Sequence, residues 1–236
     1  MTPNDRTTPP RLLVTAGPTH EPIDDVRYLG NRSSGRLGVA LVDAAAGLGW
    51  DVTLLLGPHA AEPTHTAVRT HRFQTTADLE ALLAEHAPAA DVLVMAAAVA
   101  DYRPLPDQHP GQGAGGKIKR AKGEMTLRLE STPDLIAAEA SRKRDDQLFV
   151  AFALEPRETM LEAARGKLER KRVDAIVANP LGTMDASTIE ATLLTHAGPA
   201  GDTGGPIPKT DFAPWLLEKI EQLRTAELPA GASRVR

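Results

Sequence analysis

A doubly wound α/β fold built on one mainly parallel sheet is the architecture this sequence predicts, and three observations carry it. Apolar runs of strand length at residues 12–15, 51–56, 91–99 and 149–154 lack strict alternation, as expected for strands covered on both faces. Helix-period segments lie between them, the clearest carrying Leu37, Ala40, Leu41, Ala44, Ala45 and Leu48 on one face. The order is β-α-β-α-β, which right-handed crossovers wind into a Rossmann-like sheet flanked by helices.

The first strand, Leu12-Leu13-Val14-Thr15, follows a lead-in at residues 1–10 that holds Pro3, Pro9 and Pro10, lacks apolar periodicity and is expected to be disordered. A long polar loop comes next, containing Gly17, Arg27, Gly30, Asn31, Ser33, Ser34 and Gly35. The helix after it begins near Gly35 and ends at Gly47 and Gly49. Strand, glycine turn and helix N-terminus together make an anion site, because free N–H groups and the helix dipole point at the same spot. The glycines stand too far beyond the strand for a G-x-G-x-x-G fingerprint, so an ordinary nicotinamide site is disfavoured. From these residue types alone, a ligand loop and a plain surface turn with a Ser-rich helix cap carry equal weight.

Residues 51–56 supply the second strand and close the first βαβ unit at Gly57. Residues 68–73 read as a short strand, 78–85 as a helix and 91–99 as the next buried strand. Met95, Ala96 and Ala97 leave room for a planar ligand near the carboxyl end of that strand, where open α/β sheets bind their ligands. Asp101 can face a metal ion, a ribose or a base there, or simply cap a turn, and the two readings are level. The segment of about residues 101–130 breaks the alternation and reads as an inserted flap. Its cations Lys117, Lys119, Arg120 and Lys122 suit a lid over a polyphosphate or a solvated hairpin tip; the edge shared with Asp101 favours the lid.

Residues 125–129 alternate like a half-exposed strand. Thr132 reads as a helix N-cap, with Pro133 at the first helical position and Asp134, Leu135 and Ile136 following. Beyond the strand at 149–154, residues 157–172 form a helix whose Lys167, Arg170 and Lys171 share a face of the kind that is usually solvated. Strands at 174–178 and 188–195 and a helix at 211–224 complete one domain over residues 11–225, with 226–236 as tail.

The bulk composition excludes several functions. Lys and Arg total 27 against 31 Asp and Glu, a net charge of -4, so no overall basic field favours nucleic acid. The chain has no cysteine, which removes disulfides, thiolate metal sites and a cysteine nucleophile. No apolar run reaches the length of a membrane span and no signal peptide is legible, so a cytoplasmic protein is expected. The histidines form no H-E-x-x-H pattern, and neither a Walker loop nor a G-x-S-x-G elbow is present. A short-chain dehydrogenase needs Lys four residues after its Tyr, whereas Tyr28 has Arg32 there and Tyr102 has Pro106. What remains suits chemistry in which a nucleotide activates a substrate while the protein positions groups and stabilises charge.

The run from Thr15 through Gly17-Pro18-Thr19-His20-Glu21-Pro22-Ile23-Asp24, with Val26-Arg27-Tyr28 and Asn31-Arg32-Ser33-Ser34-Gly35-Arg36-Leu37-Gly38, closely resembles the phosphopantothenoylcysteine synthetase (phosphopantothenate-cysteine ligase) family. Ala97-Ala98-Val99-Ala100-Asp101-Tyr102, Lys117-Ile118-Lys119, Thr132-Pro133-Asp134-Leu135-Ile136, Phe152-Ala153-Leu154-Glu155 and Ile176-Val177-Ala178-Asn179 extend the match in the family's order. The resemblance implies coenzyme A biosynthesis. The 4'-phosphopantothenate carboxylate attacks the α-phosphate of a nucleoside triphosphate, CTP typically and ATP as the alternative, with Mg²⁺ and no flavin; the amine of cysteine then takes the acyl group. It also implies a homodimer, and a stand-alone form whose decarboxylase is a separate protein.

Residue by residue, the resemblance assigns Asn31 to the acyl intermediate, Lys117 to the lid and Arg27 to a substrate carboxylate or phosphate. It assigns nucleotide contacts to Gly17, Ser33, Ser34, Gly35, Met95, Ala96, Ala97, Asp101, Lys117, Pro133, Asp134, Leu135, Ile136, Phe152, Lys167 and Lys171, with Asp101 also the candidate metal ligand. One stretch departs: the family's Phe-Gly-Ser-Asp-x-Asn-x-Val-Thr-Leu reads here from Met184 through Ala186, Ser187, Ile189 and Glu190 to Leu193. A nicotinamide-dependent reductase and a non-catalytic nucleotide-binding regulator are the rival readings. Cofactor absorbance without pyrophosphate release marks the first, and binding without turnover the second.

Overall fold

The computed structural model describes residues 8–105, 116–120, 122–184 and 186–226. Most of the expected lead-in, the middle of the flap and the tail beyond 226 lie outside them. Strand β1 (Arg11–Ala16) runs into β2 (His20–Pro22), β3 (Tyr28–Gly30) and helix α1 (Arg36–Gly47). Next come β4 (Asp51–Leu56), β5 (Arg69–Arg72), α2 (Thr76–His86) and β6 (Val92–Met95). β7 (Tyr102–Pro104) and β8 (Leu129–Ser131) precede α3 (Leu135–Ala140), β9 (Leu148–Glu155), α4 (Met160–Lys171) and β10 (Ala175–Pro180). The chain closes with β11 (Thr188–Ile189), β12 (Thr192–Thr195), β13 (Gly198–Asp202), β14 (Ile207–Pro208) and α5 (Lys209–Ala226).

The main sheet has eight strands in the order β13-β12-β10-β9-β6-β1-β4-β5. Every pair from β10 to β5 is parallel, and β12 and β13 add antiparallel strands at one end. This is the doubly wound, mainly parallel architecture the apolar runs predict. On one face Val14, Leu54, Val94 and Val177 meet Leu41, Val42 and Ala45 of α1 and Phe212, Leu216 and Ile220 of α5. On the other, Leu13, Leu55, Leu93 and Ile176 meet Leu79 and Leu83 of α2, Ile136 of α3 and Leu168 of α4. A fully buried aliphatic side chain contributes about 1.5–3 kcal/mol, so continuous apolar strands are worth most in a sheet covered twice. Among the described residues, no helix is long and apolar enough to cross a membrane.

The chain leaves β1 toward β4 on one side and returns to β6 on the other, so a switch point opens between the carboxyl ends of β1 and β6. There β6 stops at Met95 instead of continuing to residue 99. Side chains of β1 and its loop replace the ladder: Thr15 Oγ1 accepts the N–H of Ala97 at 3.1 Å, and Thr19 Oγ1 that of Ala100 at 2.9 Å.

Three further expectations change. The long polar loop contains the hairpin β2–β3, and buried Glu21 ties it to α2 by accepting the Thr76 N–H at 2.7 Å and hydroxyl at 2.6 Å. The strand expected at 125–129 pairs only from Leu129, as β8 against β7, at the base of the flap. The strand expected at 188–195 is two pieces. Ala191 donates its N–H to Thr203 Oγ1 at 3.1 Å, as the chain passes from the β11–β14 pair into the main sheet.

Candidate active site at the carboxyl edge of the sheet

A cleft of about 790 Å³ lies at the switch point, between the loop entering α1, the loop after β6, the start of α3 and the helix α4. Asn31, Ser33, Ser34 and Gly35 line it from one side, and Met95, Ala96, Ala97 and Asp101 from the next. Pro133, Asp134, Leu135, Ile136, Phe152, Lys167 and Lys171 complete the set that sequence reading brings here. The small side chains after β6 leave the space.

Helix α1 begins at Gly35, which has φ 68° and offers no side-chain cap. The first N–H groups of α1 are therefore open to an acceptor at the cleft wall formed by Gly35, Arg36 and Leu37. Close packing holds this turn. A Cβ on Gly35 would stand 2.7 Å from Ala60 Cβ, and one on Gly38 would stand 2.6 Å from Ala16 Cβ. Gly17 is a correction to the expected set: it does not line the cleft but lies beneath it, its N 3.2 Å from where a Gly35 Cβ would be.

Asn31 Nδ2 donates to the carbonyl of Val99 at 2.9 Å, so the end of β3 is tied to the loop after β6 across the cleft floor. Thr132 is not the cap of α3. Its hydroxyl donates to the Ala100 carbonyl at 2.5 Å, and its N–H to the Asp101 carbonyl at 3.0 Å, leaving Asp134 to cap by accepting the Ala137 N–H at 3.3 Å. The cations of α4 divide. Lys171 pairs with Asp134 at 2.8 Å and Lys167 with Glu155 at 2.5 Å inside the cleft, whereas Arg170 is exposed outside its lining.

Besides Gly17, two expected residues stand outside the lining. Arg27 is engaged by Asp24, its Nε donating at 3.0 Å, and the guanidinium holds that carboxyl well below the usual range. Lys117 is exposed on the flap segment that touches the same turn. Asp101 is exposed at the cleft, and among the described residues no group of three or more His, Asp or Glu could hold a metal ion.

Sequence reading names Asn179 only within the family match and gives it no role at the site. It is the last residue but one of β10, is 7% exposed, and lines the cleft. Its Nδ2 donates to Thr183 Oγ1 at 2.7 Å, while its buried Oδ1 has no partner among the described residues. The signal was a lone amide closing the apolar run Ile176-Val177-Ala178. Lys209, at the start of α5, donates to the Thr183 carbonyl at 3.2 Å and lines the same corner. Met184 and Ile189, from the stretch that departs in sequence, form the adjoining wall.

An uncapped helix N-terminus, two lysines, small alanines and an aromatic ring around one switch-point cleft define a Rossmann-like α/β protein with an anion-accepting site. The sequence profile of the DNA/pantothenate metabolism flavoprotein C-terminal domain matches residues 8–223. The chain belongs to that family. It is 42% identical over 171 residues to a cysteine/cysteine sulfinic acid decarboxylase of an unknown prokaryotic organism, covering 72% of this chain and 46% of that protein. It is 40% identical over 190 residues to the coenzyme A biosynthesis bifunctional protein CoaBC of Mycobacterium tuberculosis, covering 77% and 44%. The chain spans about half the length of the curated relatives it matches. The crystal structure of a CoaBC C-terminal domain aligns with a TM-score of 0.72 and 31% identity, over 93% of this chain and 97% of that one.

Proposed function

We propose that this domain is a phosphopantothenate-cysteine ligase of coenzyme A biosynthesis, acting in the cytoplasm with CTP as its nucleotide. The observation that carries the reading is the convergence of Asn31, the open α1 N-terminus, Phe152 and the α4 lysines on one cleft. The α1 N–H groups donate to a phosphate. Lys167 and Lys171 exchange their carboxylate partners for phosphate oxygens as the nucleotide enters. Phe152 gives a flat wall for the base, and Asn179 lines the same cleft.

The 4'-phosphopantothenate carboxylate attacks the α-phosphorus and pyrophosphate leaves. Asn31 then turns its amide to the acyl carbonyl as the cysteine amine adds, steadying the oxyanion until the nucleoside monophosphate departs. No acyl-enzyme forms, in keeping with the absence of cysteine from the chain. Mg²⁺ suits a site of this kind, because it is held mainly by phosphates and water with one or two carboxylates. Asp101 is the carboxylate that would hold it, and the ion would neutralise charge on the phosphates.

A homodimer is part of the proposal. Val26, Tyr28, Tyr102 and Leu129 are 60%, 50%, 54% and 41% exposed on the β2–β3 hairpin and the β7–β8 ribbon, an apolar surface suited to a second copy. The test is pyrophosphate release from purified protein with 4'-phosphopantothenate and Mg²⁺, comparing CTP with ATP, first without and then with cysteine. A small release that becomes sustained on adding cysteine is expected, with CTP preferred. Tight nucleotide binding without release would instead favour a regulator whose wall at Met184 and Ile189 has lost the substrate.

A further inference from the structure

Lys117 does not line the cleft, yet the backbone on both sides of it is gripped by the turn between β2 and β3. Asp25 accepts the N–H of Gly116 at 2.5 Å, and Asp24 Oδ2 accepts the N–H of Ile118 at 3.0 Å. Arg27 donates to the carbonyl of the same Ile118 at 3.3 Å. Gly116 and Ile118 thus both turn their N–H groups to the β2–β3 turn, although the segment forms no strand and Gly116 has φ 120°. Exposure agrees: Ile118 is half-buried, while Lys117 and Lys119 are exposed.

Asp24 is not an ordinary surface charge. Its side chain is 1% exposed. Oδ1 accepts the N–H groups of Val26 at 2.9 Å and Arg27 at 2.8 Å, while Oδ2 takes Arg27 Nε at 3.0 Å together with Ile118. The turn would be complete without Ile118. That last bond joins it to a segment 94 residues away.

We propose that Asp24 is a positioning residue: by holding both backbone groups of Ile118, directly and through Arg27, it fixes the phase of the basic segment. Lys117 and Lys119 then share the face offered to the triphosphate of the nucleotide. A slip of one residue would put Ile118 where Lys117 now stands. The role rests on the ligase reading, because the triphosphate gives Lys117 its partner, whereas the grip on Ile118 does not.

Two measurements on the full chain separate these parts. Residue-resolved amide exchange without substrate is expected to show a protected Ile118 N–H whose exchange accelerates about tenfold or more in Asp24→Ala and Asp24→Asn. Asn keeps an oxygen for the N–H groups of Val26 and Arg27, so the second variant preserves the turn where the first fails to fold. Unchanged exchange at Ile118 in a folded variant overturns the grip. Pyrophosphate release without cysteine is then expected to fall about tenfold in Asp24→Asn but less than about twofold when the same change is made in Lys117→Ala. An equal loss in both backgrounds overturns the positioning role. A wild type that releases no pyrophosphate with any nucleoside triphosphate removes the ligase reading and this role with it, while the exchange result stands alone.

Discussion

Lys171 Nζ lies 2.8 and 2.9 Å from the two carboxylate oxygens of Asp134, the residue that also caps α3, so a cleft cation of α4 and the start of the neighbouring helix are already joined. Part-exposed pairs of this kind are worth about 0–1 kcal/mol. The pair is cheap to break, and it holds the lysine in the cleft.

Asp134→Asn is expected to tighten nucleoside triphosphate binding about threefold to tenfold at low salt, because it removes the competing charge while Asn remains a good N-cap. Calorimetric titration at two ionic strengths checks this. Unchanged affinity at low salt would mean that Lys171 does not meet the phosphates.

Asn31→Asp keeps the size of the side chain but replaces its N–H donor with a charge facing the Val99 carbonyl, now 2.9 Å from Nδ2. We expect pyrophosphate release to continue while acyl nucleotide accumulates. Rapid-quench analysis of the intermediate decides, and equal wild-type and variant product rates would remove the role given to Asn31.

Gly38→Ala places a methyl group 2.6 Å from Ala16 Cβ, where α1 crosses β1. Such overpacking costs about 1–3 kcal/mol. Thermal unfolding is expected to shift down by about 2–4 °C for each kcal/mol. An unchanged Tm would mean that α1 moves off the sheet without penalty.

Asp43 of α1 accepts the N–H and hydroxyl of Thr64 and the N–H of His65, anchoring the loop that carries Ala60 beneath the glycine turn. Burial pushes its carboxyl up, but the hydrogen bonds from His65 and Thr64 outweigh it and leave the carboxyl below its ordinary 3.8. A depressed carboxyl contributes stability above the unfolded value and loses it as pH falls through the folded one. The gap in Tm between wild type and Asp43→Asn is therefore expected to narrow from about pH 5 to about pH 3. A gap independent of pH would show that the charge contributes nothing.

The central elements were legible because their periods are their own. The run 51–56 is apolar throughout since both its faces are covered, and the helix spacing of Leu41 and Ala45 points one face at β1 and β4. Ser33 to Gly35, Ala96, Ala97, Lys167 and Lys171 reached one cleft because strand ends and helix starts of this fold converge at its switch point. What stayed hidden depends on partners distant in sequence. The three-residue strand at His20 is held by Glu21 bonding Thr76, and Thr132 lost its cap role to the carbonyl of Ala100. Asn179 reads as the end of a core strand until the fold brings the residue to the cleft wall beside Thr183.

Both borders of the main sheet are unsuited to templating. β5 carries Arg69 and Arg72 outward, each paired with an acid, Asp51 and Glu62. β13 has Pro199, which lacks an N–H, and its register against β12 shifts between Leu193 and Leu194. A charged rim on one side and a broken donor row on the other deny a second chain the regular ladder that edge-to-edge stacking needs. The eight strands are thus a closed set. A protein whose core strands are almost entirely aliphatic stays clear of fibrous association by the chemistry of its two outermost strands.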